Sequence, residues 1–160
     1  MSIMLTRRGL LVFFAALPAL APPARAAAPL PKLVVHKDPN CGCCDGWVEH
    51  LRAAGFVADV AETGAINRVK ARLGVPNELA SCHTAELAGY VIEGHVPAAS
   101  IKRLLAERPE ARGLAVPGMP IGSPGMEVPG SPDEEYAVIL FGGFGQSQFS
   151  RYRGIRELSR

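Results

Sequence analysis

Apolar positions along the chain switch between two spacings, and the switches mark the elements. Leu33 to His36 is an apolar run without alternation, the pattern of a strand covered on both faces. From Asp45 the apolar residues Trp47, Val48, Leu51 and Ala54 keep helical spacing, and Gly55 stands where a C-terminal cap is expected. Phe56 to Val60 reads as a second strand. Ile66, Val69 and Leu73 then mark a second helical face, ended by Gly74 with Pro76 just beyond. Leu87 to Ile92 reads as a third strand, and Gly94-His95-Val96-Pro97 turns into a helix with Ala98, Ile101, Leu104 and Leu105 on one side. Tyr136 to Phe141 is a further strand, with Phe149 to Arg153 expected to pair with it as a short edge. This order predicts an α/β chain, a mixed sheet with helices packed on its faces.

Between Arg112 and Asp133 the periodicity stops. The stretch is rich in proline and glycine, and it repeats Pro-Gly-Met at Pro117-Gly118-Met119 and Pro124-Gly125-Met126, seven residues apart. A loop this long inside a compact domain usually has a function or is disordered, and a recurring thioether in a loop favours function. Met119 and Met126 read equally well as weak metal ligands and as a hydrophobic lid.

The amino end follows a different pattern. Thr6-Arg7-Arg8-Gly9 is a basic segment, Leu10 to Leu20 is apolar, and Ala24-Arg25-Ala26 suits cleavage, so residues 1–26 read as an export signal rather than a membrane span. The paired arginines suit the twin-arginine route and the general secretory route alike. Residues 27–32 follow as a flexible leader, and residues 33–160 make one domain. Export changes the charge balance. The whole chain has 160 residues and a formal charge of +2, but losing Arg7, Arg8 and Arg25 leaves 14 basic residues against 15 acidic. A nucleic-acid partner loses its electrostatic basis, and no membrane attachment remains once the signal is cut.

Candidate chemistry gathers at the first strand-to-helix seam, His36-Lys37-Asp38-Pro39-Asn40-Cys41-Gly42-Cys43-Cys44-Asp45-Gly46-Trp47. Cys41 and Cys44 stand in Cys-x-x-Cys register, which after a strand and at a helix start reads as a thioredoxin-like redox pair or as half of a metal site. Cys43 adds little to dithiol exchange and much to a soft-metal site, because thiolates can bridge monovalent ions. Helix-start amides and the positive end of the macrodipole favour thiolate in either case. Three cysteines crowded into four positions make poor geometry for structural disulfides, and a core of this size does not need them. In a thioredoxin-like sheet, the segment entering the third strand passes beside the helix-start thiols, and Cys82 falls there. Copper held by Cys41, Cys43, Cys44 and Cys82 ranks ahead of thiol-disulfide exchange by Cys41 and Cys44, which ranks ahead of a zinc or structural role.

The Cys-x-Cys-Cys loop, the Ser81-Cys82-His83-Thr84 segment, the Glu93-Gly94-His95-Val96-Pro97 turn and the Pro-Gly-Met loop occur together in this order. The chain thereby resembles the CopG-like copper-resistance family, also catalogued as domain of unknown function 411. The resemblance implies a thioredoxin-like fold and periplasmic copper, Cu(I) in one or several ions, held by Cys41, Cys43, Cys44 and Cys82. It also carries Met119 and Met126 over to the family's methionine loop. Expected partners are copper ions and other periplasmic copper-resistance proteins. Whether copper is stored, passed on or cycled between oxidation states stays open, and with it whether the protein is an enzyme. Of the histidines, His83 and His95 are divided between the metal site and packing, His36 reads as a satisfied strand end, and His50 as solvated. Trp47 reads as core.

Overall fold

A computed structural model describes residues 29–159, so the signal expected over residues 1–26 lies outside the described residues. The order of elements is β1 (Leu33–Lys37), α1 (Gly42–Ala53), β2 (Ala58–Glu62), α2 (Ile66–Leu73), a 3-10 turn (Asn77–Leu79), β3 (Thr84–Leu87), β4 (Tyr90–Glu93), α3 (Ala98–Glu107), β5 (Gly113–Ala115), β6 (Glu135–Gly142), β7 (Gly145–Arg153) and β8 (Arg156–Ser159). All eight strands form one mixed sheet in the order β2-β1-β3-β4-β5-β6-β7-β8. Two pairs are parallel, β1 with β2 and β4 with β5, each joined through a helix; the others are antiparallel. The α/β architecture expected from the alternating pattern is therefore present.

Both faces of the sheet are covered. Trp47 and Leu51 of α1 and Ile101 and Leu104 of α3 pack with Leu33, Val35, Ala85, Ile92, Leu114 and Val138 into one cluster. Leu73 of α2 joins Val75, Leu79, Val91, Ala115 and Phe141 in a second. Successive strand residues fall into different clusters, Val91 against Ile92 and Leu114 against Ala115, as alternation across a pleated strand requires. The unbroken apolar run at β1 has the same cause. Both α1 and α2 end in left-handed glycines, Gly55 at φ 94° and Gly74 at φ 73°, and α3 starts after Pro97.

Several boundaries differ from the periodic reading. Helix α1 begins at Gly42 rather than Asp45, so Cys43 and Cys44 lie within its first turn. The strand expected over Leu87 to Ile92 is a hairpin: β3 turns into β4 through Ala88 and Gly89, both at positive φ. Alanine at the first of those positions hides the turn, which asparagine or aspartate would have announced. Strand β5 hides in the proline-glycine stretch because three residues carry no period. Strand β7 is interior rather than an edge, since β8 pairs with its far side. Its first half, Gln146-Ser147-Gln148, is exposed and polar and gives no apolar signal. Leu30, within the segment expected as leader, is half-buried against the core.

Candidate metal centre

The carboxyl end of β1 and the start of β3 deliver the site. After β1, the Asn40 N–H donates to the Asp38 carboxylate at 2.9 Å and the Cys41 N–H to the Asp38 carbonyl at 3.0 Å, closing a tight turn into α1. Buried Lys37 clamps the turn from below, with Nζ 3.1 Å from the Asp45 carboxylate in the first turn of α1. Cys41 becomes the N-cap residue, and Cys44 sits one turn along, facing it. β3 runs antiparallel to β1, with Thr84 opposite His36. Cys82, two residues before Thr84, is thereby carried past the end of β1 to the thiol loop.

The four cysteine sulfurs lie within 4.8 Å of one another. Sγ of Cys43 is the centre, 3.5 Å from Sγ of Cys41 and 3.9 Å from Sγ of Cys82. Cys41 and Cys44 are joined as a disulfide with Cα atoms 5.4 Å apart, while Cys43 and Cys82 are free thiols. This corrects the expectation that crowding spoils disulfide geometry. Crowding does not exclude a bond between residues three apart when the first is a helix cap and the second completes the first turn. Cys44 is fully buried, and the other three cysteines are half-buried.

Two imidazoles flank Cys82. His95 Nε2 lies 3.1 Å from its sulfur and His83 Nδ1 lies 3.2 Å from it. These three residues form a second cluster able to hold a metal ion. The other ring nitrogen of His95, Nδ1, is 2.9 Å from the Pro124 carbonyl, which can only accept; Nδ1 therefore carries the proton and Nε2 presents its lone pair to Cys82. His83 is wholly buried between Trp47, at 4.3 Å between ring centroids, and His95, at 5.0 Å, and its Nε2 has no hydrogen-bond partner among the described residues. Burial holds both imidazoles below the usual histidine range, and for His83 the neighbouring His95 and Lys70 add to the effect. Burial, with the adjacent Cys43, pushes the Cys82 thiol up to about 12. Trp47 is core as expected, fully buried and donating from Nε1 to the Val96 carbonyl at 2.9 Å.

The two Pro-Gly-Met copies anchor on opposite sides of the cysteines. In the first copy, the Gly118 carbonyl accepts from the Ser81 hydroxyl, one residue before Cys82. In the second, Pro124 holds His95, and Gly125 lies directly on α1: a Cβ at Gly125 would stand 2.5 Å from Trp47 N and 2.6 Å from Cys43 O. Its φ of 85° also belongs to glycine. Bonds within the loop, from Gly122 N to Met126 O and from Met126 N to Ser123 O, give the aperiodic stretch a fixed shape. Met119 is 52% exposed and Met126 is half-buried. His36 is satisfied by Glu86 at 2.9 Å. His50, expected in solvent, is half-buried, and its Nε2 accepts from the Ala98 N–H at 3.1 Å, capping α3.

Soft sulfur donors with bridging capacity and an available imidazole nitrogen suit a thiophilic ion. Sulfurs 3.5 and 3.9 Å apart are close to the roughly 3.8 Å between thiolates sharing one ion at bond lengths near 2.3 Å. The sheet and its cysteine cluster thus define a mixed α/β protein with a sulfur-rich candidate metal centre.

The family described as "Protein of unknown function, DUF411" matches residues 79–126, a span that contains Cys82, His83, His95 and both loop methionines. Two solved structures are similar over 78% of this chain and 99% of their own: copper resistance protein CopG in form 2, at 46% identity and a TM-score of 0.73, and in form 1, at 45% and 0.72. The chain belongs to this CopG copper-resistance family. No curated protein matches it.

Proposed function

We propose that the protein is a periplasmic copper-binding protein of copper resistance that holds Cu(I) through Cys41, Cys43, Cys44 and Cys82. The convergence of four sulfurs within 4.8 Å carries this reading, because Cys82 lies 39 residues beyond Cys43, in the segment leading into β3, and still reaches the helix-start thiols. The name of the similar structures, copper resistance protein, favours copper over zinc. His95 Nε2 supplies a nitrogen donor beside Cys82, and Met119 and Met126, on the loop anchored at Ser81 and against α1, serve as thioether ligands or cover. The export signal in the sequence supports the periplasmic location. Anaerobic loading of the reduced mature chain with Cu(I), followed by desalting, should leave copper bound, and a ratio near zero would overturn the reading.

The Cys41–Cys44 disulfide favours a second reading, thiol-disulfide or copper redox chemistry. Two Cu(II) ions oxidising the two thiols give two Cu(I) ions, the disulfide and two protons, so electrons and protons balance. Exchange that needs only Cys41 and Cys44 persists in chelator and in Cys82→Ser; chemistry on copper at the four-sulfur site is lost in both.

A further inference from the structure

Beneath Cys82 lies a buried ion pair that metal binding does not itself require. Glu93, at the end of β4, is fully buried, and Lys70 of α2 is nearly so. Lys70 Nζ donates to Glu93 Oε1 at 2.5 Å and to Thr84 Oγ1 at 2.9 Å. The same carboxylate accepts the Ser81 backbone N–H at 2.6 Å and the Thr84 hydroxyl at 2.6 Å. Two of its donors therefore flank Cys82, one residue before it and two residues after. The chain around Glu93 reinforces the hold: the Gly94 N–H donates to the His83 carbonyl at 3.0 Å, and the next residue, His95, meets the Cys82 sulfur. At Gly94 a Cβ would stand 2.6 Å from Ser81 Cβ and from Val116 O, so the approach is closed to any other residue.

A buried ion pair is weak support for stability, since apolar residues of equal volume often serve as well or better. Its value lies elsewhere, in direction. A carboxylate with fixed donors on both sides of one residue determines where that residue's side chain points.

We infer that Glu93, braced by Lys70, is a positioning residue that aims the Cys82 sulfur, and with it His95, at the helix-start thiols. The inference rests on the proposed copper site for its biological meaning, but the placement of Cys82 can be read without copper. In a Cys41→Ser/Cys44→Ser background, mild oxidation should join Cys43 to Cys82, whose sulfurs are 3.9 Å apart. Glu93→Gln should slow that cross-link by about tenfold, and in the otherwise unaltered chain it should weaken Cu(I) affinity by about 10- to 100-fold. Leu104→Ala, a core change in α3, serves as the control for lost stability and should leave the cross-linking rate unchanged. If Glu93→Gln does not fold, Thr84→Val removes one flanking donor, keeps the ion pair and should slow the cross-link in the same direction. Equal rates in the parent and the Glu93 or Thr84 variant, or the same slowing in Leu104→Ala, would overturn the inference. No copper uptake by the unaltered chain, with the cross-link in the Cys41→Ser/Cys44→Ser chain still dependent on Glu93, would sink the copper reading and leave the positioning role standing.

Discussion

His95 and Cys82 are joined through a defined tautomer: Nδ1 of the imidazole donates to the Pro124 carbonyl, and Nε2 points at the Cys82 sulfur 3.1 Å away. One ring thus links the proline-glycine loop to the cysteine farthest along the chain. His95→Ala should weaken Cu(I) binding by about 10- to 100-fold, measured by competition with a Cu(I) chelator. Unchanged affinity would make the ring a packing residue.

At Gly125 the loop lies against the start of α1 with no room for a side chain. Gly125→Ala must clear Trp47 N and Cys43 O, and it holds a left-handed backbone. A loss of about 1–3 kcal/mol in thermal or denaturant unfolding is expected. Gly130, also at positive φ but with nothing near its Cβ position, should show less on the same change.

Copper that binds only the folded chain should raise stability by about 2.7 kcal/mol at a hundredfold excess over the dissociation constant. For a domain of this size that is a rise in melting temperature on the order of 10 °C. Cys43 lies within reach of both Cys41 and Cys82, so Cys43→Ser should abolish most of the shift. A shift that survives the substitution would place the metal elsewhere.

The α3 cap gives a pH dependence. Burial holds His50 below the ordinary histidine pKa, with Glu127 partly opposing, so the folded chain takes up this proton at a lower pH than the unfolded chain. The contribution is complete above the unfolded value of about 6.5 and is lost as pH falls from there through the lower folded value. Protonated Nε2 also can no longer accept the Ala98 N–H. His50→Gln should flatten the decline in melting temperature below pH 6.5 relative to the parent chain. An identical slope would contradict the cap.

Much of the fold was legible because burial writes period into sequence. Three helical faces and the strands β1 and β6 stand out, since their apolar residues repeat at 3.6 or run unbroken between two covered faces. The β3–β4 hairpin was not legible because its turn contains alanine at positive φ, and β5 and the first half of β7 lack an apolar pattern. Cys41, Cys43 and Cys44 announce themselves by spacing. The approach of Cys82 depends on β1–β3 register and was expected only from the thioredoxin-like pattern. The roles of His83 and His95 had no sequence signal beyond adjacency to Cys82 and a Gly-His-Val-Pro turn. Their distances to sulfur come from the fold, as does the cap supplied by His50. A disulfide between Cys41 and Cys44 follows from the helix starting at Gly42, three residues before Asp45, where the apolar spacing placed its start.

Copper-edge X-ray absorption on the anaerobically loaded, reduced chain tests the site itself, because it reads the ion's valence and its neighbours together. A Cu(I) edge with a shell dominated by sulfur, changed in Cys82→Ser, is the result that four converging cysteines predict. A shell of nitrogen and oxygen alone, or a spectrum indifferent to Cys82, would contradict it.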